Sequence, residues 1–422
     1  MRKYYSLYGQ LLNGARLYQG FKKVYKAKGA AGIDGQSLSA FAENLGDNIE
    51  QLLTELKTKQ YQPQPVRRVE IPKDDGGTRL LGIPTVRDRI VQQTLTDILT
   101  PIFDPHFHPS SYGYRQGRSC HHAINKASQF IREYSRHHVV DMDLSKCFDK
   151  LDHRLIINSI KRRVTDSSVL KLIKSFLSSG VMVSGEWQAT DKGSPQGGVI
   201  SPLIANIYLD AFDQEMRQRN HRIVRYADDI LILCCSRSGA ENALKQATKI
   251  LEEDLKLTVN QSKTHIAHSD SGVKFLGVEI RTKYTRIQDK KLLGFKVKLK
   301  ALTKRNGGKP LSEVIKRLNP LLRGFSQYFK IAHAQKAFKK IAGWVRRRLR
   351  SIQLKLWKKP KRLHRWLRQQ GYKGKFQAIS MRRWRNAASP YASMAMPNAW
   401  FDEQGLFNLE KVKTGITISY NG

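Results

Sequence analysis

Apolar positions fall in short blocks through the middle of the chain and at helical spacing towards its end. Residues 221–235 read as two short apolar strands around a Tyr226-Ala-Asp-Asp229 centre. Upstream, residues 138–149 alternate with period two: Val140, Met142 and Leu144 share one predicted face, and Val139, Asp141 and Asp143 the other. Residues 69–82 predict a hairpin with an Asp-Gly turn, which places Lys73 and Arg79 on opposite arms near its tip. Residues 193–206 form a glycine-rich turn that runs into a helix, and within residues 257–265 Lys263 stands beyond a short strand. From Leu311 the spacing turns helical, through Val314, Ile315, Leu318, Leu322, Phe325 and Phe329, with Pro320 and Gly324 expected to kink or split that helix. A second amphipathic stretch runs through Phe338, Ile341, Val345, Leu349 and Ile352. Its predicted polar face carries Lys339, Lys340, Arg346, Arg347, Arg348 and Arg350.

Charge changes this picture more than length does. The 422 residues allow two or three domains, and 40% apolar content is too rich for a disordered chain. The formal net charge is +40, and residues 281–390 carry 34 Lys and Arg against two acids, Asp289 and Glu313. Such a block repels itself and needs a polyanionic partner, of which nucleic acid is the obvious one. Five of the six tryptophans, Trp344, Trp357, Trp366, Trp384 and Trp400, lie in or just beyond it; core packing is the commoner use of such residues, stacking platforms the rarer. No apolar run reaches the roughly 18 residues of a membrane span. The mixed segment after Met1 argues against a secretory leader, so a cytoplasmic, nucleoid-associated protein is expected. Cys120, Cys147, Cys234 and Cys235 lack C-x-x-C spacing and are expected to be small buried hydrophobes in a reducing compartment.

The acidic centre is the chemical focus. Adjacent Asp228 and Asp229 at the tip of an apolar hairpin are costly unless a cation neutralises them. A second strand from a distant position also presents Asp. Together they suit a phosphoryl-transfer site with two magnesium ions, which prefer hard oxygen ligands and can sit about 4 Å apart. Spacing alone leaves Asp141 and Asp143 both open as the upstream ligand.

The order of blocks carries a resemblance. Gly32-Ile-Asp-Gly35, Ile71-Pro-Lys73, Ser111-Tyr-Gly-Tyr-Arg115, Asp143 with Phe148-Asp149, Ser194-Pro-Gln-Gly-Gly198, Tyr226-Ala-Asp-Asp229, Lys263-Thr264 and Phe275-Leu-Gly277 appear in sequence. Leu318-Asn-Pro-Leu-Leu-Arg-Gly-Phe-Ser-Gln-Tyr-Phe329 and Trp344-Val-Arg-Arg-Arg-Leu349 follow. In this order they resemble a bacterial group II intron reverse transcriptase, or intron-encoded maturase, from about Gly29 to about Lys359. The later blocks resemble the maturase-specific domain, which sets the chain apart from retron, diversity-generating and viral polymerases.

The resemblance implies an α+β, right-hand polymerase: fingers at 1–85, a palm with antiparallel sheet at 86–285 to which finger elements return, a basic helical thumb at 286–400 and a short extension at 401–422. Asp143 and Asp228 would hold both magnesium ions with the Leu144 carbonyl, and Asp229 would lie near the primer end. The family spacing to Phe148 favours Asp143 over Asp141. Phe148 would be the steric gate under the sugar, Gln196 would touch the nucleotide, and Lys73 and Arg79 would neutralise its triphosphate. Lys263 would protonate departing pyrophosphate. Arg346, Arg347, Arg348 and Arg350 are expected to bind RNA. The implied partners are the chain's own intron RNA, an RNA template with DNA primer, dNTPs and a DNA target, with no cofactor beyond metal. The residues after Lys359 lack cysteine, which resembles the branch without an endonuclease. Two other readings stay open: a splicing cofactor with an idle polymerase site, and a domesticated relative in repair or phage defence.

Overall fold

The computed structural model describes residues 2–72, 77–183, 186–194, 197–376, 379–381 and 384–416. Lys73 and Gln196 lie outside the described residues. The chain divides into two compact units, Met1–His268 and Ser269–Gly422.

The first unit holds eight described strands: β1 (Val66–Pro72), β2 (Thr78–Ile83), β3 (His138–Met142), β4 (Val181–Val183), β5 (Glu186–Gln188), β6 (Arg222–Tyr226), β7 (Asp229–Cys234) and β8 (His265–His268). One sheet runs β2-β1-β4-β5, with the hairpin pairing Arg67 to Ile83 and Ile71 to Arg79. The other runs β6-β7-β3-β8 and is antiparallel throughout. Its central strands are covered on both faces, so Val139 and Val140 are equally buried and the expected alternation fails there. Helices Val86–Phe103, Cys147–Lys150, His153–Lys161, Ser167–Ser178 and Ser201–Gln218 pack the same core, which extends from Leu7 to Val259. Side-chain caps set several of their starts: Thr85 accepts from Asp88 N–H, Asp152 from Leu155 N–H and Asp166 from Val169 N–H. No strand forms at 257–260; Val259 makes a single bridge to Leu144 instead. Cys147 and Cys234 are buried as expected, but Cys235 is exposed because β7 ends at Cys234.

The second unit opens with a small antiparallel sheet of β9 (Val273–Phe275), β10 (Val278–Ile280) and β11 (Thr285–Ile287). These strands lie in the compact unit beginning at Ser269, while the expected palm runs to 285. Helices Asp289–Leu302, Leu311–Phe329, Gln335–Trp357 and Pro360–Gln369 follow. Leu311–Phe329 runs unbroken through Pro320, because the residues that carry its apolar stripe, Leu318, Leu322 and Phe329, are all buried. Within residues 401–416, Phe401, Leu406 and Leu409 are buried. Trp366 donates to the Ala395 carbonyl at 2.6 Å and lies ring to ring with Trp357 and Trp400, which is core packing.

Candidate active site

The site is built at one end of the β6-β7-β3-β8 sheet. Tyr226 pairs with Asp229, so Ala227 and Asp228 form a two-residue turn between β6 and β7, with Ala227 in the left-handed region at φ 58°. Met142 pairs with Ile230, and the next residue of that chain is Asp143. Pairing thus carries Asp143 to the same sheet end as the 228–229 turn. Asp141, two residues back, also lies close enough to Asp229 to act on its charge.

Four carboxylates therefore share one region. Burial raises the Asp228 carboxyl and the neighbouring Asp143 charge adds to the effect, while its own backbone N–H, Arg79 and Arg225 act against it. Asp229 keeps solvent access, yet the protein crowded around it and the charges of Asp228, Asp141 and Asp143 push it up to about 7, with Lys263 opposing. Asp143 Oδ2 accepts from Asn260 Nδ2 at 2.9 Å and lies 3.8 Å from Lys263 Nζ. The Asp143 carbonyl accepts from Asn260 N–H at 2.8 Å, and Ser145 N–H donates to the Thr258 carbonyl at 2.9 Å. Because consecutive carbonyls alternate along an extended chain, these bonds turn the Leu144 carbonyl away from Val259, to the other edge of its strand.

Neighbouring loops pack around these residues. Gly193 N–H donates to the Leu151 carbonyl and Ser194 N–H to the Phe148 carbonyl, both at 2.8 Å. On the far side of this loop a Cβ at Gly197 would collide with the Gly82 carbonyl, so only glycine lets it meet the β2 arm that bears Arg79. Phe148 is buried in the core and meets Tyr114 edge to ring at 6.3 Å between centroids. Tyr114 is exposed, and after burial its hydroxyl responds most to Asp228 and Arg79, which sets it at the mouth of the site.

Asp143, Asp228, Asp229, Lys263 and Arg79 are thus brought together, and Phe148 and the Leu144 backbone border them. Residue patterns did not single out Asn260, Tyr114 or Arg225. An arginine inside the apolar run Ile223-Val-Arg-Tyr226 was the available signal for the last. Among the described residues no group of three His, Cys, Asp or Glu side chains is closed enough to hold a metal ion.

Three of the four arginines expected to bind RNA make contacts within the second unit. Arg346 is buried and pairs with Glu410 at 2.7 Å. Arg348 donates to the side chain and carbonyl of Thr303, and Arg350 donates to the Met396 carbonyl at 2.9 Å. Burial lowers the pKa of both Arg348 and Arg350. These contacts join the Gln335–Trp357 helix to neighbouring segments.

Residues 71–280 match the family described as "Reverse transcriptase (RNA-dependent DNA polymerase)", and residues 292–372 match "Group II intron, maturase-specific domain". The mixed fold is that of an RNA-directed DNA polymerase of right-hand type. The chain is 35% identical over 299 residues to protein YkfC of Escherichia coli K12, covering 62% of this chain and 78% of that protein. It is 30% identical over 345 residues to the group II intron-encoded protein LtrA of Lactococcus lactis subsp. cremoris, covering 66% of this chain and 57% of LtrA. A putative COX1/OXI3 intron 2 protein of Saccharomyces cerevisiae is 28% identical, over 62% of this chain and 37% of that protein. The chain belongs to the group II intron reverse transcriptases and maturases, a family that uses divalent metal ions and nucleic-acid substrates. It spans less than two thirds of the length of LtrA. Among the described residues no helix is long and apolar enough to cross a membrane.

Proposed function

We propose that this chain copies RNA into DNA from dNTPs, with Asp143 and Asp228 holding two magnesium ions, and that it binds its own intron RNA to assist splicing. The observation that carries the reading is the meeting of Asp143, Asp228 and Asp229 at one sheet end, beside Lys263 and Arg79. When bound, the metal pair would activate a primer 3′-hydroxyl and neutralise charge on the leaving pyrophosphate.

The protein's own groups supply the rest. Asn260 holds the Asp143 carboxylate, and the Leu144 carbonyl is free of the Val259 bridge to serve as a further oxygen donor. Asp229 stands near the primer end. Arg79 supplies positive charge for the triphosphate, with Lys73 and Gln196 assigned there from their motifs. Phe148, backed by the core, has the fixed position a steric gate requires. Lys263 stands ready to donate a proton to departing pyrophosphate.

The second unit is the RNA-binding part in this reading, since its charge suits recognition of structured RNA through shape and backbone. The intron RNA is then carried to a DNA target, where an existing DNA end primes synthesis. The setting proposed is the nucleoid of a bacterial cell. Primer extension on a defined RNA template with magnesium, run beside a splicing assay, tests the proposal. Asp228→Ala abolishes extension and leaves RNA binding and splicing assistance largely intact. Extension at the parent rate by that variant overturns the metal assignment.

A further inference from the structure

A buried ion pair lies directly under the Ala227–Asp228 turn, and none of the roles assigned above uses it. Arg225 of β6 and Asp213 of the Ser201–Gln218 helix both have side chains with no exposure. Asp213 accepts from Arg225 Nε at 2.8 Å through Oδ1 and from Nη2 at 2.6 Å through Oδ2. The remaining arm of the guanidinium, Nη1, donates to Asn206 Oδ1 at 3.0 Å and to the Ala227 carbonyl at 2.9 Å. Asn206 in turn donates to the Gly113 carbonyl at 2.8 Å. Gly113 lies so close to the turn that a Cβ there would collide with the backbone nitrogen of Ala227.

Strength alone does not explain this arrangement. Well-packed apolar residues of similar volume often replace a buried ion pair without loss of stability. What they cannot supply is direction. The planar guanidinium uses three edges at once, and one of them ends on the carbonyl immediately before Asp228. That carbonyl belongs to Ala227, a non-glycine residue in the left-handed region that needs surrounding structure to hold it there. Main-chain bonds fix the arginine as well: Arg225 N–H donates to the Ser110 carbonyl and its own carbonyl accepts from Tyr112 N–H, both at 2.9 Å.

We propose that Arg225, clamped by Asp213 and Asn206, is a positioning residue that fixes the Ala227 carbonyl and thereby the direction in which the Asp228 carboxylate projects. Gly113 is the second wall of the same device, and the Ser111-Tyr-Gly-Tyr-Arg115 segment is in this reading a brace for the metal-bearing turn. The inference rests on Asp228 being a metal ligand.

The test uses Asn206→Ala and Gly113→Ala, which disturb the turn and leave the Arg225–Asp213 pair in place. Mn²⁺ binding is followed by electron paramagnetic resonance in the absence of substrate, beside hydrogen exchange of the 222–234 segment, template–primer affinity and thermal melting. Both variants bind Mn²⁺ about tenfold more weakly, the size of effect seen when a support behind a metal ligand is lost. Exchange in the 222–234 segment accelerates, while template–primer affinity stays within about twofold of the parent, as expected when the support of the turn alone is lost. Mn²⁺ affinity equal to the parent's in both variants overturns the proposal, as does a weakening that only tracks general loss of folding in the melting curves. Asp228→Ala is the control that separates the two readings. If it too binds Mn²⁺ like the parent, the metal assignment has failed, and not merely the positioning role of Arg225.

Discussion

Arg346 and Glu410, 64 positions apart, form an ion pair at 2.7 Å in which the arginine side chain is 7% exposed and the glutamate 29%. Glu410 N–H also donates to Asn408 Oδ1 at 2.9 Å, so the acid is held in place from its own segment. The pair ties the Gln335–Trp357 helix to residues beyond 400, and its consequence is structural.

Arg346→Ala is therefore expected to destabilise the second unit by about 2–3 kcal/mol, below the full cost of breaking a buried pair because Glu410 keeps some solvent. Urea denaturation of the RNA-free protein measures this. Glu410→Gln should show a smaller loss of the same sign, since a neutral acceptor remains. A variant with parent stability and weakened RNA affinity would give Arg346 an RNA-binding role instead.

The RNA footprint is better sought on lysines that have no such duty. Lys296, Lys298 and Lys300 of the Asp289–Leu302 helix are exposed, and that helix buries only Phe295 and Leu299. Replacing all three by alanine should weaken RNA binding and flatten its salt dependence by about 0.7–0.9 in log–log slope for each lysine that touches phosphate. Stability should hardly change. Binding isotherms across a series of salt concentrations decide it, and an unaltered slope moves the RNA to another face.

Legibility followed whether a feature was local. The Tyr226-Ala-Asp-Asp229 turn could be read because two apolar runs flank it within a short stretch of chain, whereas alternation puts Asp141 and Asp143 on one face and only the resemblance favoured Asp143. Arg346 was placed on a polar face without its partner because helical spacing defines faces and not partners; its partner lies on a segment with no pattern of its own. Arg225 was hidden for the same reason, since Asp213 sits on a different element and no spacing rule joins them. Strands β9, β10 and β11 have three residues each, too short for period two to mark them in the sequence. Asn260 was overlooked beside Lys263, although it is Asn260 that bonds Asp143 directly.

A last prediction concerns pH and the small sheet of the second unit. Glu279 on β10 accepts from Arg281 Nε at 2.7 Å and from Arg286 Nη2 at 2.8 Å, with only 7% of its side chain exposed. Burial alone would raise its pKa, but the two guanidinium hydrogen bonds outweigh that and hold it below the ordinary glutamate value. A carboxyl whose folded pKa is depressed adds stability above its unfolded pKa, and that stability is lost as pH falls through the folded value. The parent should therefore melt at a higher temperature than Glu279→Gln near pH 7. The gap should begin to close as pH falls below about 4.3, the ordinary glutamate pKa, and should keep closing at still lower pH. Melting curves of both proteins from pH 7 to pH 3 measure the difference directly. A gap that stays constant over that range would show that the Glu279→Gln variant loses packing or hydrogen bonds rather than charge.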